Sequence, residues 1–306
     1  MARQIKVCAY GMRLHDADMA LEYTRQADIA VRHVTSQLMQ VLPSRPDLLV
    51  LPEVCDRPRN LPDNEIEKYY AACGPKLLDL FCSMAEKYGS NIAYTAPRET
   101  PDGIWTTSTR LIGRNGRIAG ICDINASEVS FLNCDFGRIG CIISSDLLSE
   151  GRLNKYMKEK PELIIFPSSF YGGFLQQYWA YSCNAYLASA VGNPTNYIIP
   201  SNIISPGGDI TASSTNYSRF ATKTLNLDFI VAHGDCLEDH YEILREKYCD
   251  SISLYDPGRG GTYVLSSEIE GVSMRDMAKE LGIEENDHFL ERFLKRREEY
   301  ISSTNK

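Results

Sequence analysis

The sequence lacks the features of a membrane protein and of a nucleic-acid-binding protein. No apolar run reaches the about 18 residues that a membrane-spanning helix needs. The 32 Lys and Arg residues are outnumbered by 40 Asp and Glu residues, and this net charge of −8 argues against a phosphate-backbone partner. The N-terminus passes directly into an alternating strand pattern, without the basic start and apolar core of a signal peptide. We therefore expect a cytoplasmic protein that binds neither membranes nor nucleic acids.

The sequence also lacks a disulfide framework and a zinc motif, although it has ten cysteines. No CxxC pair occurs, and several cysteines lie inside apolar strand-like runs, which predicts reduced core residues. The one grouping of metal-ligand types is His233, Cys236 and His240, and its spacing matches no common zinc pattern. We expect a loop or helix start there, and neither a metal nor a cofactor in the protein.

Strand and helix patterns alternate along the first part of the chain, which is typical of a layered α/β fold. The run at 46–53 is continuously apolar and ends in Pro and Glu, as an interior strand does. Apolar residues at helical spacing predict helices at about 18–41 and 76–88, the second ending at Gly89. Strands are predicted at 5–12, 91–96, 105–113, 116–124, 128–134 and 137–143.

The second half repeats the alternation. We predict helices at about 147–160 and 175–191, strands at 162–169, 195–200 and 222–228, and a hairpin at 201–214 that turns at 206–209. Beyond these elements the pattern indicates loops, followed by a charged helix at about 274–300. Because no low-complexity linker divides the chain, residues 1–230 are predicted as one domain and 231–306 as a C-terminal extension.

The stretch GRIGCIISSDLL, at 137–148, predicts a buried strand that turns into a helix with two serines at the corner. Such a corner lifts one side chain clear of the sheet and places backbone N–H groups beside it, which suits a nucleophile. The corner resembles the nucleophile elbow of the nitrilase, or carbon–nitrogen hydrolase, superfamily. Further stretches resemble that superfamily in the same order, namely DLLVLPE, GRIAG, ELIIFPSS and SNIISPGGDI, so that the resemblance covers about the first 230 residues.

The resemblance implies an α/β fold in the form of a four-layer α-β-β-α sandwich. It also implies attack by a cysteine thiolate on nitriles or amides, with a glutamate as general base and a lysine that holds the oxyanion. It places the base at Glu53 and the nucleophile at Ser144, so the glutamate is retained and the cysteine is replaced. A thiol provides a useful fraction of anion near neutral pH, whereas an alcohol needs an adjacent base to lose its proton.

The lysine is absent, because no lysine occurs between Lys87 and Lys155, and Ile124 stands at or beside the expected place. The long segment that follows the lysine in the superfamily is also absent. Here 125–127 separates two strand patterns, which predicts a tight hairpin within 117–134. We interpret the loss of the lysine and of its loop as one event, so that a single Cys→Ser change does not account for the difference. Arg98, Arg110 and Arg138 are hypothetical replacements for the cation.

Each candidate residue has a structural alternative. Glu53 is either a base or a strand-end carboxylate that caps backbone, and Ser144 is either a nucleophile or a small residue that preserves the elbow. Asp146 is expected to hydrogen-bond the turn. Cys55 and Cys141 are candidates for a relocated nucleophile, with the core as the alternative.

The loop at 168–179 is the candidate substrate-binding segment. The resemblance makes Phe170, Tyr171 and Trp179 an aromatic pocket wall, and the alternatives are core or dimer contacts. In the superfamily, subunits pair through helices beside the elbow. The apolar and aromatic residues of 147–157 and 175–191 therefore predict a homodimer through these segments, with the C-terminal helix wrapping the partner or its own domain.

Two function classes follow. In the first, the protein is a catalytically degenerate carbon–nitrogen hydrolase relative that keeps the fold for small-molecule binding or association. In the second, it hydrolyses small amides or other non-peptide C–N bonds, using Ser144 or a relocated cysteine with Glu53. Losing members of a catalytic group that acts as a unit costs on the order of a millionfold in turnover, which favours the first class.

Overall fold

The computed structural model describes residues 2–129, 131–192, 199–257 and 261–304. The chain divides into two compact units, Ile5–Thr224 on the one hand and Met1–Gln4 with Leu225–Lys306 on the other. The boundary predicted at residue 230 lies inside a strand of the second unit. Within the described residues, no helix is both long and apolar enough to cross a bilayer.

Two six-stranded sheets form the centre of the first unit. The strands of the first sheet are β1 (Gln4–Tyr10), β2 (Leu48–Glu53), β3 (Asn91–Glu99), β4 (Trp105–Ile112), β5 (Ile118–Asp123) and β12 (Phe220–Asn226). The strands of the second sheet are β6 (Phe131–Cys134), β7 (Gly137–Cys141), β8 (Leu163–Ser168), β9 (Tyr186–Val191), β10 (Asn202–Ile204) and β11 (Ile210–Ser213). The orders are β12-β1-β2-β3-β4-β5 and β11-β10-β9-β8-β7-β6, and β2 of the first sheet packs on β8 and β9 of the second.

Helices cover the outer face of each sheet. The helices of this unit are α1 (Tyr23–Leu38), α2 (Ile66–Cys73), α3 (Lys76–Tyr88), α4 (Glu150–Glu159) and α5 (Leu175–Ser182). The first three share a hydrophobic core with the first sheet, and the last two share one with the second sheet. The predicted α-β-β-α sandwich is therefore confirmed.

The parallel strands at the centre of each sheet determine where polar side chains emerge. β1, β2 and β3 run parallel, as do β7, β8 and β9. All of β8 and all of β2 except Glu53 are buried, which explains the continuous apolar runs of these strands. The carboxyl ends of parallel neighbours lie at one edge of a sheet, and the residues that follow β7 and β8 therefore emerge together.

Residues 117–134 do not form the predicted hairpin. β5 pairs with β4 in the first sheet, whereas β6 pairs with β7 in the second, so β5 and β6 belong to different sheets and the chain crosses between the sheets after β5. Two strands that stack in facing sheets have the same alternating pattern and the same short turn as two strands that pair. The hairpin prediction was wrong because β5 pairs with β4 and β6 pairs with β7, so the two strands do not pair with each other. By contrast, the hairpin of β10 and β11 is confirmed.

The helix predicted at 175–191 is only half correct. α5 ends at Ser182, and β9 (Tyr186–Val191) is an interior strand between β8 and β10. Ala188, Ser189 and Ala190 are fully buried there, and their small side chains suit a strand that packs against a facing sheet. Tertiary packing overrode the helix propensity of this alanine-containing segment. The strand predicted at 195–200 lies mostly outside the described residues.

The second unit has its own sheet and core, so the loops predicted after residue 228 were wrong. Its strands are β13 (Phe229–His233), β14 (Ile252–Tyr255) and β15 (Thr262–Ser267), in the order β13-β15-β14. Its helices are α6 (Gly234–Leu237), α7 (Tyr241–Tyr248), α8 (Met274–Leu281) and α9 (Asn286–Thr304). The single helix predicted at 274–300 is thus two helices, because Gly282 ends the first with φ 74°.

Two side chains of the His–Cys–His grouping, those of His233 and Cys236, contact other residues. The His233 ring stacks on Phe289 with the ring centroids 4.1 Å apart. Cys236 Sγ donates a hydrogen bond to Glu284 at 3.5 Å. No cluster of three or more potential metal ligands occurs among the residues that the structure describes.

Candidate functional site

Glu53 ends β2 at an irregular point of the sheet. The register of the β2–β3 pairing shifts between Val50 and Glu53, and the next residue, Val54, has φ 54°. A β-branched residue at positive φ is a strained backbone conformation, and such strain clusters at functional sites. The Val54 N–H is held by Thr95 O at 3.1 Å. The backbone therefore turns sharply at Glu53, whose side chain is half-buried at the edge of the sheet.

The Glu53 carboxylate is bound by the facing sheet. Ser169, the residue after β8, donates to Glu53 Oε2 from its backbone N–H at 3.1 Å and from its hydroxyl at 2.7 Å. Within the described residues, Oε1 has no hydrogen-bond partner. Sequence analysis missed Ser169, and the only signal was its place at the end of the strand-like run ELIIFPSS.

Ser144 occupies the predicted elbow. It begins a short 3-10 helix (Ser144–Leu148) soon after β7 ends, and its φ of 48° is in the left-handed region. Its side chain is half-buried, and Ser144 Oγ has no hydrogen-bond partner in the part of the chain that the structure describes. The elbow therefore presents a hydroxyl that no base contacts.

Asp146 holds the elbow in place, as predicted. Its Oδ1 accepts from Asn125 N–H at 3.1 Å and its Oδ2 from Ile143 N–H at 3.4 Å. Arg152 Nε lies 3.2 Å from Oδ1. Burial raises the pKa of Asp146, and the Arg152 guanidinium opposes that rise. The carboxyl thus joins the elbow, the connection between the sheets and α4.

Tyr156 of α4 fixes the end of β7. Its hydroxyl donates to Cys141 O at 2.7 Å and accepts from Cys141 N–H at 3.1 Å. Its ring lies directly on Gly140, where a Cβ would come within 2.6 Å of ring atom Cε1. Glycine is therefore required at 140 for α4 to approach the strand that leads to the elbow.

The connection after β5 is hydrogen-bonded to α4. Arg152 Nη2 donates to Ala126 O, and Lys155 Nζ donates to Ser127 O at 2.9 Å. Ile124 N–H donates to Thr107 O at 2.9 Å and continues the edge of the first sheet. The side chain at this position is apolar and can contribute no cation.

The aromatic loop lies against the elbow. Gly172 has φ 72°, and a Cβ there would overlap Leu147 of the elbow. Trp179 is buried and its Nε1 donates to Leu147 O at 2.9 Å, so it contributes to the core beneath the loop. Phe170 is exposed and Tyr171 is half-buried, and these two rings remain candidates for contact with a ligand.

Neither relocated cysteine is suited to act as a nucleophile. Cys55 and Cys141 are both buried, and burial raises the pKa of each thiol well above its usual range. A thiolate is the reactive form, so these two side chains are held in the inert form.

Of the three arginines predicted as replacement cations, two form ion pairs elsewhere, and the third lies on the face of the first sheet that the helices cover. Arg98 forms an ion pair with Asp123 at 2.8 Å. Arg110 lies 5.7 Å from the ring centroid of Tyr94, on the helix-covered face of the first sheet. Arg138, at the opposite end of β7 from the elbow, pairs with Glu159. A residue that sequence analysis missed is Arg57, shortly after Glu53, whose Nε and Nη1 are buried and have no partner among the described residues.

Comparison with solved structures identifies the architecture. Nit3 of Saccharomyces cerevisiae, a nitrilase-superfamily member, matches with a TM-score of 0.62 and 14% identity over 80% of this chain and 94% of that chain. A carbon–nitrogen hydrolase of Helicobacter pylori G27 matches with a TM-score of 0.61 and 12% identity over 80% of this chain and 92% of that chain. An amidase of Nesterenkonia sp. matches with a TM-score of 0.57 and 12% identity over 72% of this chain and 90% of that chain.

No protein-family model and no curated protein sequence matches the chain. At these identities the likeness concerns the fold, and the chain has the fold of the nitrilase superfamily.

Proposed function

We propose that this protein is a nitrilase-superfamily relative that has lost thiol-based C–N hydrolysis and binds a small molecule at the edge where Glu53 and the elbow emerge. The observation that carries the proposal is the state of Ser144. It occupies a strained elbow, at φ 48°, that is suited to a nucleophile, yet the side chain is an alcohol with no base in contact among the described residues.

The contrast with the relatives supports this proposal. Structures of two mutants of the Nesterenkonia amidase show covalent adducts at its active-site cysteine. In our chain the elbow has no thiol, and Cys141, three residues before Ser144, is buried, which raises the pKa of its thiol well above the usual range. An uncharged Ile124 at the position of the ammonium group removes the preorganised charge that would stabilise an oxyanion. Loss of both groups accounts for loss of turnover without loss of the fold.

One observation favours a second function, hydrolysis of small amides by a serine. Ser169 Oγ donates to Glu53 Oε2 at 2.7 Å, which is hydrogen-bonding distance for a nucleophile and its general base. In this alternative Glu53 takes the Ser169 proton as the oxygen attacks the amide carbonyl and returns it to the departing amine, and water then hydrolyses the acyl-serine. Arg57, four residues after Glu53, is the first cation to test. Ser144 is the other serine that this class allows.

Measurement of ammonia release distinguishes the non-catalytic function from the serine hydrolase. Purified protein is incubated with acetamide, propionamide, benzamide and benzonitrile, and released ammonia is measured against Glu53→Gln, Ser144→Ala and Ser169→Ala variants. Ser145→Ala, in the exposed residue next to the elbow, is the matched control. We expect no ammonia above the Glu53→Gln background. Steady release that is lost in Ser169→Ala or Ser144→Ala, but kept in Ser145→Ala, would establish a serine hydrolase.

We also propose that the protein is a cytoplasmic homodimer. Large apolar side chains beside the elbow are exposed on and around α4 and α5, namely Leu148, Met157, Phe174, Tyr178 and Tyr181. Exposed apolar patches of this kind often mark sites where proteins associate. Pairing of two copies through these helices would cover it. The ten free cysteines suit a reducing compartment.

A further inference from the structure

A small cavity lies on the helix-covered face of the first sheet. Its volume is about 170 Å³, and its lining comes from α2, the first turn of α3, β3 and β4. The polar and aromatic lining residues are Tyr70, Tyr94, Trp105, Arg98, Glu99 and Arg110. Drug-sized ligands occupy about 300–1,000 Å³, so this cavity suits a smaller molecule.

Two arginines line the cavity, and their surroundings differ. The Arg98 guanidinium is already bound by other side chains. Its Nη2 donates to the two carboxylate oxygens of Asp123 at 2.9 and 2.8 Å, and its Nε donates to Ser108 Oγ at 2.8 Å. The Arg110 guanidinium lies 5.7 Å from the Tyr94 ring centroid, and no residue within the described ranges hydrogen-bonds or ion-pairs with it. Five N–H donors of Arg110 therefore remain for water or a ligand.

A buried carboxyl group, that of Asp56, holds two aromatic side chains of the cavity lining, Tyr70 and Tyr94, in place. Asp56 is fully buried and accepts hydrogen bonds from Tyr70 Oη at 2.7 Å and from Tyr94 Oη. Tyr94 also packs on Phe81 of α3, with ring centroids 4.2 Å apart. Burial raises the pKa of Asp56, and the phenol hydrogen bonds and, more weakly, the charge of Arg110 oppose that rise.

We propose that this cavity binds a small monocarboxylic acid, with its carboxylate on Arg110. The planar guanidinium presents paired donors that match a carboxylate. The Trp105 ring and Leu77 and Leu78 of α3 provide apolar surface for the body of the acid. Glu99 in the lining disfavours a second negative charge, which selects a monocarboxylate over a dicarboxylate or phosphate. The site is separate from the Glu53 edge and does not depend on the function proposed for it.

Isothermal titration calorimetry of the full chain tests the proposal with butyrate and benzoate as probes. We expect one saturable site per chain, and binding of the neutral butyramide and benzamide that is weaker by about tenfold or more, because they lack a charge-assisted contact. Arg110→Gln should weaken butyrate binding by a similar factor. Arg117→Gln, in an exposed residue of the turn between β4 and β5, should leave butyrate binding unchanged.

A second measurement covers the case in which Arg110→Gln does not fold. Trp105 lines the cavity and Trp179 is buried beneath the elbow, so a bound acid should change the fluorescence of Trp105 alone. The response of the natural chain to benzoate should therefore disappear in Trp105→Phe. Equal affinity for benzamide and benzoate, or tighter binding of inorganic phosphate, would overturn the proposal. So would the absence of any response to either acid.

Discussion

Ser169 donates two hydrogen bonds to one oxygen of Glu53, from its backbone N–H at 3.1 Å and from its hydroxyl at 2.7 Å. Glu53 ends β2 and Ser169 directly follows β8, two central strands of facing sheets, so this contact joins the sheets at the edge where the elbow also emerges. A half-buried carboxylate that accepts two bonds is held in one orientation. That orientation suits a residue that positions a ligand as well as one that accepts a proton.

The first prediction concerns the stability that the hydrogen bond between Ser169 and Glu53 contributes. Ser169→Ala should lower the free energy of unfolding by about 1–2 kcal/mol, because it removes a hydrogen bond to a charged group. Glu53→Gln should have less effect in the Ser169→Ala background than in the natural chain. A double-mutant cycle by urea unfolding measures this coupling. Ser83→Ala, on the exposed face of α3, is the control and should change stability little. Additive effects of the two changes would contradict the contact.

The second prediction concerns the approach of α4 to β7. Gly140→Ala should destabilise the protein by about 1–3 kcal/mol, because its Cβ would overlap the Tyr156 ring and the packed site cannot relax freely. Gly151→Ala is the matched control. Its Cβ would lie 4.0 Å from the nearest atom outside its own helix, so it should stabilise α4 by up to about 1 kcal/mol. Equal effects of the two changes in urea unfolding would refute the assignment of Gly140 as a packing glycine.

Local sequence patterns predicted the strands that carry Glu53 and Ser144. The features that were not predicted depend on contacts between residues far apart in the sequence. Glu53 and Ser144 were found because each follows a buried strand whose residues show the pattern by themselves. Ser169 gave no such signal, because its importance comes from Glu53 in the facing sheet. β9 was missed because its small residues favour a strand only when β2 lies opposite. The same reason explains the crossing after β5, since pairing and stacking strands look alike in sequence.

The third prediction concerns pH. His15 is buried, and neither of its ring nitrogens has a hydrogen-bond partner within the described residues. Burial lowers its pKa from 6.5 to about 4, with the nearby His33 acting in the same direction and Asp16 opposing it. The unfolded chain therefore binds more protons than the folded one between these two values. Stability contributed by neutral His15 is complete above pH 6.5 and is lost as the pH falls towards 4.

Urea unfolding at pH 7.5 and pH 5 measures this effect. The natural chain should lose about 2 kcal/mol through His15 over that interval, in addition to the contribution of its carboxylates. His15→Phe should remove this part of the loss, whereas His288→Phe, in an exposed residue of α9, should keep it. An unchanged pH dependence in His15→Phe would show that His15 is not the group responsible.

The fourth prediction concerns association. Phe174, beside α5, is the most exposed of the apolar residues near the elbow, at 72%. If two copies pair there, Phe174→Asp should shift the mass measured by light scattering at micromolar concentration from dimer to monomer, because a charge would be buried at the interface. Phe293→Asp, at 58% exposure on α9, is the control and should not shift it. A monomer in the natural protein would exclude the proposed homodimer.

The last prediction restores the thiol alone. Ser144→Cys, in a Cys249→Ser background that removes the exposed native cysteine, should react with iodoacetamide faster than the remaining cysteines. Burial raises the pKa of Cys8 to about 11. An unperturbed thiol has a pKa of about 8.5. At neutral pH its thiolate fraction is more than about a hundredfold larger than that of Cys8, because each unit of pKa changes this fraction about tenfold. Ser145→Cys, exposed but outside the strained position, separates accessibility from the effect of the elbow.

The same variant should release no ammonia from acetamide or propionamide. A thiolate can attack the carbonyl, but position 124 holds an uncharged isoleucine, and the Lys155 ammonium at the following connection is hydrogen-bonded to Ser127 O. Alkylation without turnover would therefore separate the lost nucleophile from the lost cation. Turnover by Ser144→Cys would show that another group, with Arg57 the first to test, already supplies the charge, and the degenerate assignment would then be wrong.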